Sequence, residues 1–281
     1  MPEPIESRIR ANGVELAVYE WPGESVPVFF AHATGFHARC WDQVIAKLPG
    51  RRCVAIDMRG HGRSEKPEPN YDWRRFGEDV AGVARELRAE GWIAVGHSKG
   101  GHAVTYAAAL EPGIFRSLIL LDPVILPRER YGRAHMGEHF ASRRRNHWQS
   151  PEEMFERFHS RAPFKSWERA VLKDYCDYGL LPNADGGGYV LACPPRIEAA
   201  VYAGSASADI YDEIATLDMP VRVLRARVRS EEGAMDVSGS PTYPDLATKF
   251  PRGEDVPLPQ HSHFIPMENT ALVADEVLRA S

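Results

Sequence analysis

Cysteine is scarce in this sequence. Cys40, Cys53, Cys176 and Cys193 are the only four, and they lie far apart with no metal-ligand spacing. That excludes a disulfide scaffold and a cysteine-rich zinc module, and it predicts free, mostly packed thiols in a cytoplasmic protein. Long apolar runs are missing as well; none approaches the roughly 20 residues that a membrane span needs. The opening Met1-Pro2-Glu3-Pro4 has neither the basic region nor the apolar stretch of a secretory leader, so none is expected. Charge of one sign is not in excess. A net charge of −5 gives no reason to expect nucleic acid or an anionic membrane as partner. No internal repeat, low-complexity tract, metal motif or cofactor motif stands out, and no metal or cofactor is expected.

What is present is ordinary in bulk. The chain has 281 residues, 43% hydrophobic and 26% charged. That suffices for one large α/β domain, or for a core that carries an inserted subdomain.

One stretch organises the rest: Val95-Gly96-His97-Ser98-Lys99-Gly100-Gly101. The apolar run Trp92 to Val95 precedes it, and the alanine-rich run His102 to Leu110 follows. A strand, then Gly-x-Ser-x-Gly, then a helix is the context of a nucleophile elbow. The turn is tight, so Gly96 and Gly100 must be nearly without side chains. Ser98 is then expected at the apex. The N–H of Lys99 opens the helix and points to where an oxyanion forms.

The rest of the chain supplies the context. Ile5 to Arg10 and Val14 to Trp21 alternate apolar and polar around Asn12-Gly13, which predicts a hairpin. Val26 to Ala31 and Cys53 to Ile56 read as strands. Phe76, Val80, Val83, Ala84 and Leu87 mark one face of a long helix. Leu118 to Leu121 reads as a buried parallel strand ending in Asp122-Pro123. Strands and helices therefore alternate, which predicts a doubly wound, mostly parallel sheet. From Val124 to Leu217 the alternation breaks into a charged, mostly helical stretch rich in large side chains. It resumes with Val221 to Leu224, and the last helix is expected over Asn269 to Arg279. Residues 1–123 and 218–281 are read as the core, and residues 124–217 as a helical cap inserted over the sheet's C-terminal edge, where ligands bind in such sheets.

On these residues the sequence resembles the α/β-hydrolase superfamily in its capped branch. The markers are His32-Ala33-Thr34-Gly35, Asp57-x-Arg59-Gly60-His61-Gly62-x-Ser64, the turn at Ser98, and His263-Phe264-Ile265-Pro266-Met267-Glu268. One departure is Ala33, where the family usually has glycine. A serine hydroxyl is a weak nucleophile at neutral pH and needs an adjacent base, for which histidine is suited. There are 11 histidines. His263 follows the last strand, and His261 is its close competitor; the resemblance selects His263. It also implies that the N–H of Thr34 joins that of Lys99 in an oxyanion hole. His32 and His61 are expected to hydrogen-bond within their loops, and the His97 side chain to point away from the apex.

The acid is less determined. The family most often places it after the strand Val221 to Leu224, but no aspartate stands close to that strand end. Asp236 lies further along the loop, and Glu231, which is nearer, reads as solvated. Some capped relatives place the acid after the strand Leu118 to Leu121, which is where Asp122 stands. A strand end positions a side chain better than a loop does, so Asp122 ranks first and Asp236 second. A turn with Pro123 is the alternative role for Asp122.

Two charged features are expected to be ordinary. The Lys99 side chain is expected to reach solvent or pair with an acid, help to an anionic substrate being the alternative. Arg143-Arg144-Arg145 is expected to form a solvated cap face, although an arginine facing the pocket would change the substrate class. The resemblance implies a serine hydrolase acting through an acyl-enzyme on a small or medium carboxylic ester or lactone. A C–C bond hydrolase, thioesterase, amidase or perhydrolase on the same triad is the second reading. A ligand receptor that retains the triad is the third.

Overall fold

The computed structural model describes residues 3–68, 71–132, 139–229 and 238–280. Asn12-Gly13 closes a hairpin between β1 (Ile5–Ala11) and β2 (Val14–Trp21). Both turn residues take positive φ, 48° and 79°, as a two-residue hairpin turn requires. The sheet continues with β3 (Ser25–Ala31), β4 (Arg51–Ile56), β5 (Trp92–His97), β6 (Phe115–Leu121), β7 (Val221–Arg225) and β8 (Gly253–Pro257). Its eight strands run in the order β1-β2-β4-β3-β5-β6-β7-β8. β2 is antiparallel to both neighbours, and the pairings from β4 through to β8 are parallel.

Burial on both faces explains the apolar strands. In β3, Val28 and Phe30 enter one core while Phe29 and Ala31 enter the other. Helices α1 (Trp73–Glu86) and α2 (Lys99–Leu110) cover one face. Trp41, Val44 and the C-terminal helix Thr270–Arg279 cover the other. The expected doubly wound, mostly parallel sheet is therefore present. The four cysteines are free and buried. Among the described residues no helix is long and apolar enough to cross a membrane.

Between β6 and β7 the alternation stops, as expected. This stretch holds α3 (Pro151–Phe158), α4 (Arg169–Tyr178), α5 (Pro195–Ala203) and several 3₁₀ turns. It also holds a small antiparallel sheet, in which Tyr189–Leu191 pairs with both His147–Trp148 and Leu180–Pro182. Strands of two or three residues are too short to show a period of two, so the sequence pattern does not reveal them. Met154, Trp167, Leu172 and Tyr175 of this stretch pack with Ala33, Phe36 and Met267. Those partners follow β3 and β8, so the insertion lies over the C-terminal edge of the sheet.

Candidate active site

Ser98 sits between β5 and α2 with φ 56° and ψ −119°. This is a strained conformation for a residue with a side chain. The neighbouring glycines make the turn possible. A Cβ on Gly100 would lie 2.1 Å from the Ala31 carbonyl oxygen, and one on Gly96 would lie 2.5 Å from that of Gly100. The serine hydroxyl is left for other partners, since it makes no capping hydrogen bond to α2.

The structure brings Ser98 to His263 and His263 to Asp122. Ser98 Oγ lies 3.1 Å from His263 Nε2, and His263 Nδ1 lies 2.6 Å from Asp122 Oδ2. Asp122 follows β6 at φ 44° and is fully buried. Burial pushes its pKa up, but the hydrogen bonds from His263, Ser240 and Ala226 outweigh burial and hold it below the ordinary carboxylate value. Oδ1 accepts from the Ala226 N–H at 3.0 Å and from Ser240 Oγ at 2.5 Å. Thr242 Oγ1 lies 3.0 Å from the same oxygen and 2.8 Å from the Pro123 carbonyl, so its proton serves one or the other. β6 pairs with β7 through Leu121 and Leu224. The end of β7 thus presents a backbone N–H, from Ala226, to the carboxylate at the end of β6. Asp236 and Glu231 lie outside the described residues.

His261 faces elsewhere. Its Nδ1 lies 3.5 Å from Glu268 Oε2. His97 leaves the turn as expected, but it is not idle: its Nε2 lies 2.8 Å from the His263 carbonyl oxygen and supports that loop. Burial, then the nearby His263, pushes its pKa down to about 3, so it is neutral and donates this bond. His32 and His61 hydrogen-bond backbone carbonyls of Ala33 and Arg59, at 2.7 and 2.8 Å, within their loops. Asp57 accepts from the N–H groups of Ala38 and Arg63, which gives its motif a structural role. The N–H groups of Thr34 and Lys99 have no hydrogen-bond acceptor among the described residues, as donors kept for a ligand require. Ala33, the departure from glycine, is accommodated as a buried residue beside Phe36.

The Lys99 side chain contradicts expectation. It does not reach solvent, and it pairs with no acid among the described residues. It is fully buried, its Nζ 3.8 Å from the centre of the Phe76 ring and 2.9 Å from Met58 Sδ. Burial drives its pKa well below 10.5. Between that lowered value and 10.5 the unfolded chain therefore binds more protons than the native one, and this residue makes stability rise with pH over that window. Lys99→Met should remove the penalty. We expect the melting temperature at pH 7 to rise by about 3 °C or more, the shift that roughly 1 kcal/mol gives in a domain of this size. The slope of melting temperature between pH 7 and 10 should flatten. Thermal melts across that range check it; a lower melting temperature for K99M would mean a paired, charged amine.

A cavity of about 420 Å³ opens above Ser98 and His263. Its walls are largely aromatic, with Phe36, Phe158, Phe164 and Trp167 prominent. The arginine run also departs from expectation. Arg144 is not part of a solvated face: it lines this cavity, ion-pairs with the buried Glu198 and bonds Tyr175 Oη at 3.0 Å. Among the described residues no group of three or more His, Cys, Asp or Glu side chains is placed to hold a metal ion.

A strained serine at the end of a central parallel strand thus faces a histidine and an acid carried by the ends of other strands of an α/β sheet. The model of the alpha/beta hydrolase family matches residues 28–276, and the chain belongs to that family. It is similar to a non-heme chloroperoxidase of Streptomyces lividans, 36% identical over 118 residues, covering 41% of this chain and 43% of that one. It is also similar to a 2-(acetamidomethylene)succinate hydrolase of Mesorhizobium japonicum, 33% identical over 119 residues, 42% of each. These matches span less than half the length of either relative. A solved structure of E-2-(acetamidomethylene)succinate hydrolase has the same fold, with a TM-score of 0.77 over 98% of both chains at 22% identity.

Proposed function

We propose that this chain is a serine hydrolase that cleaves a small or medium carboxylic ester or lactone through an acyl-enzyme. The observation that carries the reading is the unbroken chain from Ser98 Oγ through His263 to Asp122 Oδ2. In this reading His263 takes the Ser98 proton as Oγ attacks the carbonyl, and Asp122 holds the tautomer and stabilises the imidazolium. The N–H groups of Thr34 and Lys99 hold the oxyanion, each contributing roughly 2.7–4 kcal/mol to the transition state. His263 then returns the proton to the leaving alcohol, and water, activated the same way, releases the acid. Residues 124–217 act as the cap that shapes the acyl site, over a core of residues 1–123 and 218–281.

Labelling with a fluorophosphonate, with the modified peptide identified by mass spectrometry, tests the nucleophile. A series of acyl esters of graded length then sets the substrate size. His263→Ala should reduce acylation by several orders of magnitude, as loss of a triad histidine does, while His261→Ala keeps a clear fraction of activity. The reverse outcome in a stopped-flow acylation assay would move the base by two residues.

A further inference from the structure

The cavity above Ser98 is positively charged. Among the described residues four arginines line it, Arg144, Arg145, Arg157 and Arg161, against one carboxylate, Glu198. Two of the four are engaged. Arg144 pairs with Glu198, and Arg145 pairs with Glu153 at 2.7 Å while lying over the Trp148 ring. Arg157, in the last turn of α3, and Arg161, just beyond it, have no carboxylate within 4.0 Å among the described residues. Glu153 is near enough to feel the charge of Arg157, but its oxygens are taken by Arg145 and the Gln149 N–H. Guanidinium groups only donate. The cavity wall is therefore rich in positive charge and in charged donors, which suits an anion with several lone pairs.

We propose that the substrate is an organic acid, an ester or amide that carries a carboxylate away from the scissile bond, with that carboxylate held by Arg157 and Arg161. The aromatic wall then covers the carbon chain between the carboxylate and the reacting carbonyl at Ser98. The position of the scissile bond rests on the hydrolase reading; the capture of the acid by the arginines does not.

The test pairs binding with turnover. Calorimetry compares glutarate and adipate with the neutral isosteres glutaramide and adipamide. Turnover compares monomethyl glutarate and monomethyl adipate with methyl pentanoate and methyl hexanoate. Wild-type protein should favour the acid of each pair by about tenfold or more, the scale of a charge-assisted hydrogen bond. The double variant Arg157→Gln/Arg161→Gln should lose about tenfold of that ratio. Both side chains are exposed, so the fold should survive, and melting curves check that it does. About 0.5 M salt should erode the preference as well. Where fluorophosphonate labels Ser98, equal turnover of acids and neutral esters, or a binding preference that survives in the double variant, overturns the proposal. Where Ser98 is not labelled, the hydrolase reading falls, and the binding ratio alone decides whether the cavity takes organic acids.

Discussion

Ser98→Ala is expected to lower kcat by up to about 10⁶-fold, the scale seen when a serine nucleophile is removed from a triad. The melting temperature should barely move. The hydroxyl makes one side-chain hydrogen bond, to His263 at 3.1 Å, and does not cap α2. Alanine at φ 56° is about as strained as serine there, so the turn carries the same backbone penalty in both proteins. The residual rate would come from binding and the oxyanion donors alone. Active-site titration of the wild type with a fluorophosphonate, beside steady-state assays of S98A, checks this. Wild-type ester hydrolysis in a well-folded S98A protein would remove the nucleophile assignment.

Asp122→Asn is expected to lower kcat on the order of 10⁴-fold, by the precedent of the same change in a serine-protease triad. The surroundings dictate how the asparagine sits. Oδ1 of Asp122 faces donors, the Ala226 N–H and the Ser240 hydroxyl. An asparagine keeps its carbonyl oxygen in that slot, because an NH₂ group there would meet the Ala226 N–H. Its NH₂ then faces His263 Nδ1 at the position now held by Oδ2. Nδ1 must become an acceptor, so the proton moves to Nε2, where it can no longer receive one from Ser98. Turnover of D122N with its circular dichroism and melting curve makes the test. Near-normal turnover in D122N, with collapse in Asp236→Asn, would transfer the acid's role to the loop after β7.

The features legible in the sequence are those encoded over short stretches of backbone. Asn12-Gly13 specifies a hairpin turn whatever surrounds it, because few other residues tolerate its positive φ values. Gly96 and Gly100 announce the turn at Ser98 because any larger residue would collide with the backbone. The buried strands are legible as continuous apolar runs, and Asp122 as the residue on which such a run ends. That placement favours Asp122 over a loop residue, and in the structure its Oδ2 lies 2.6 Å from His263 Nδ1.

The features that eluded the sequence depend on partners far along the chain. Lys99 meets Met58, 41 residues away, and only their packing takes its amine out of water. Arg144 finds Glu198 across 54 positions. The carboxylate of Asp122 is held by Ser240 and Thr242, 118 and 120 residues on, which no local motif marks. His97 shows both sides of the division. Its outward direction follows from the turn, but its bond to the His263 carbonyl exists only because the loop after β8 folds back onto β5.

By itself, then, the sequence determined the order of the strands and helices of the main sheet, the strained serine and the place where the strand–helix alternation is interrupted. Each is set by steric limits or periodicity within a few residues. Which arginines of 124–217 face the cavity, which lysine loses its solvent and which groups steady the acid were decided by tertiary structure. Burial and charge pairing are properties of what two distant segments enclose together, and neither segment states them alone.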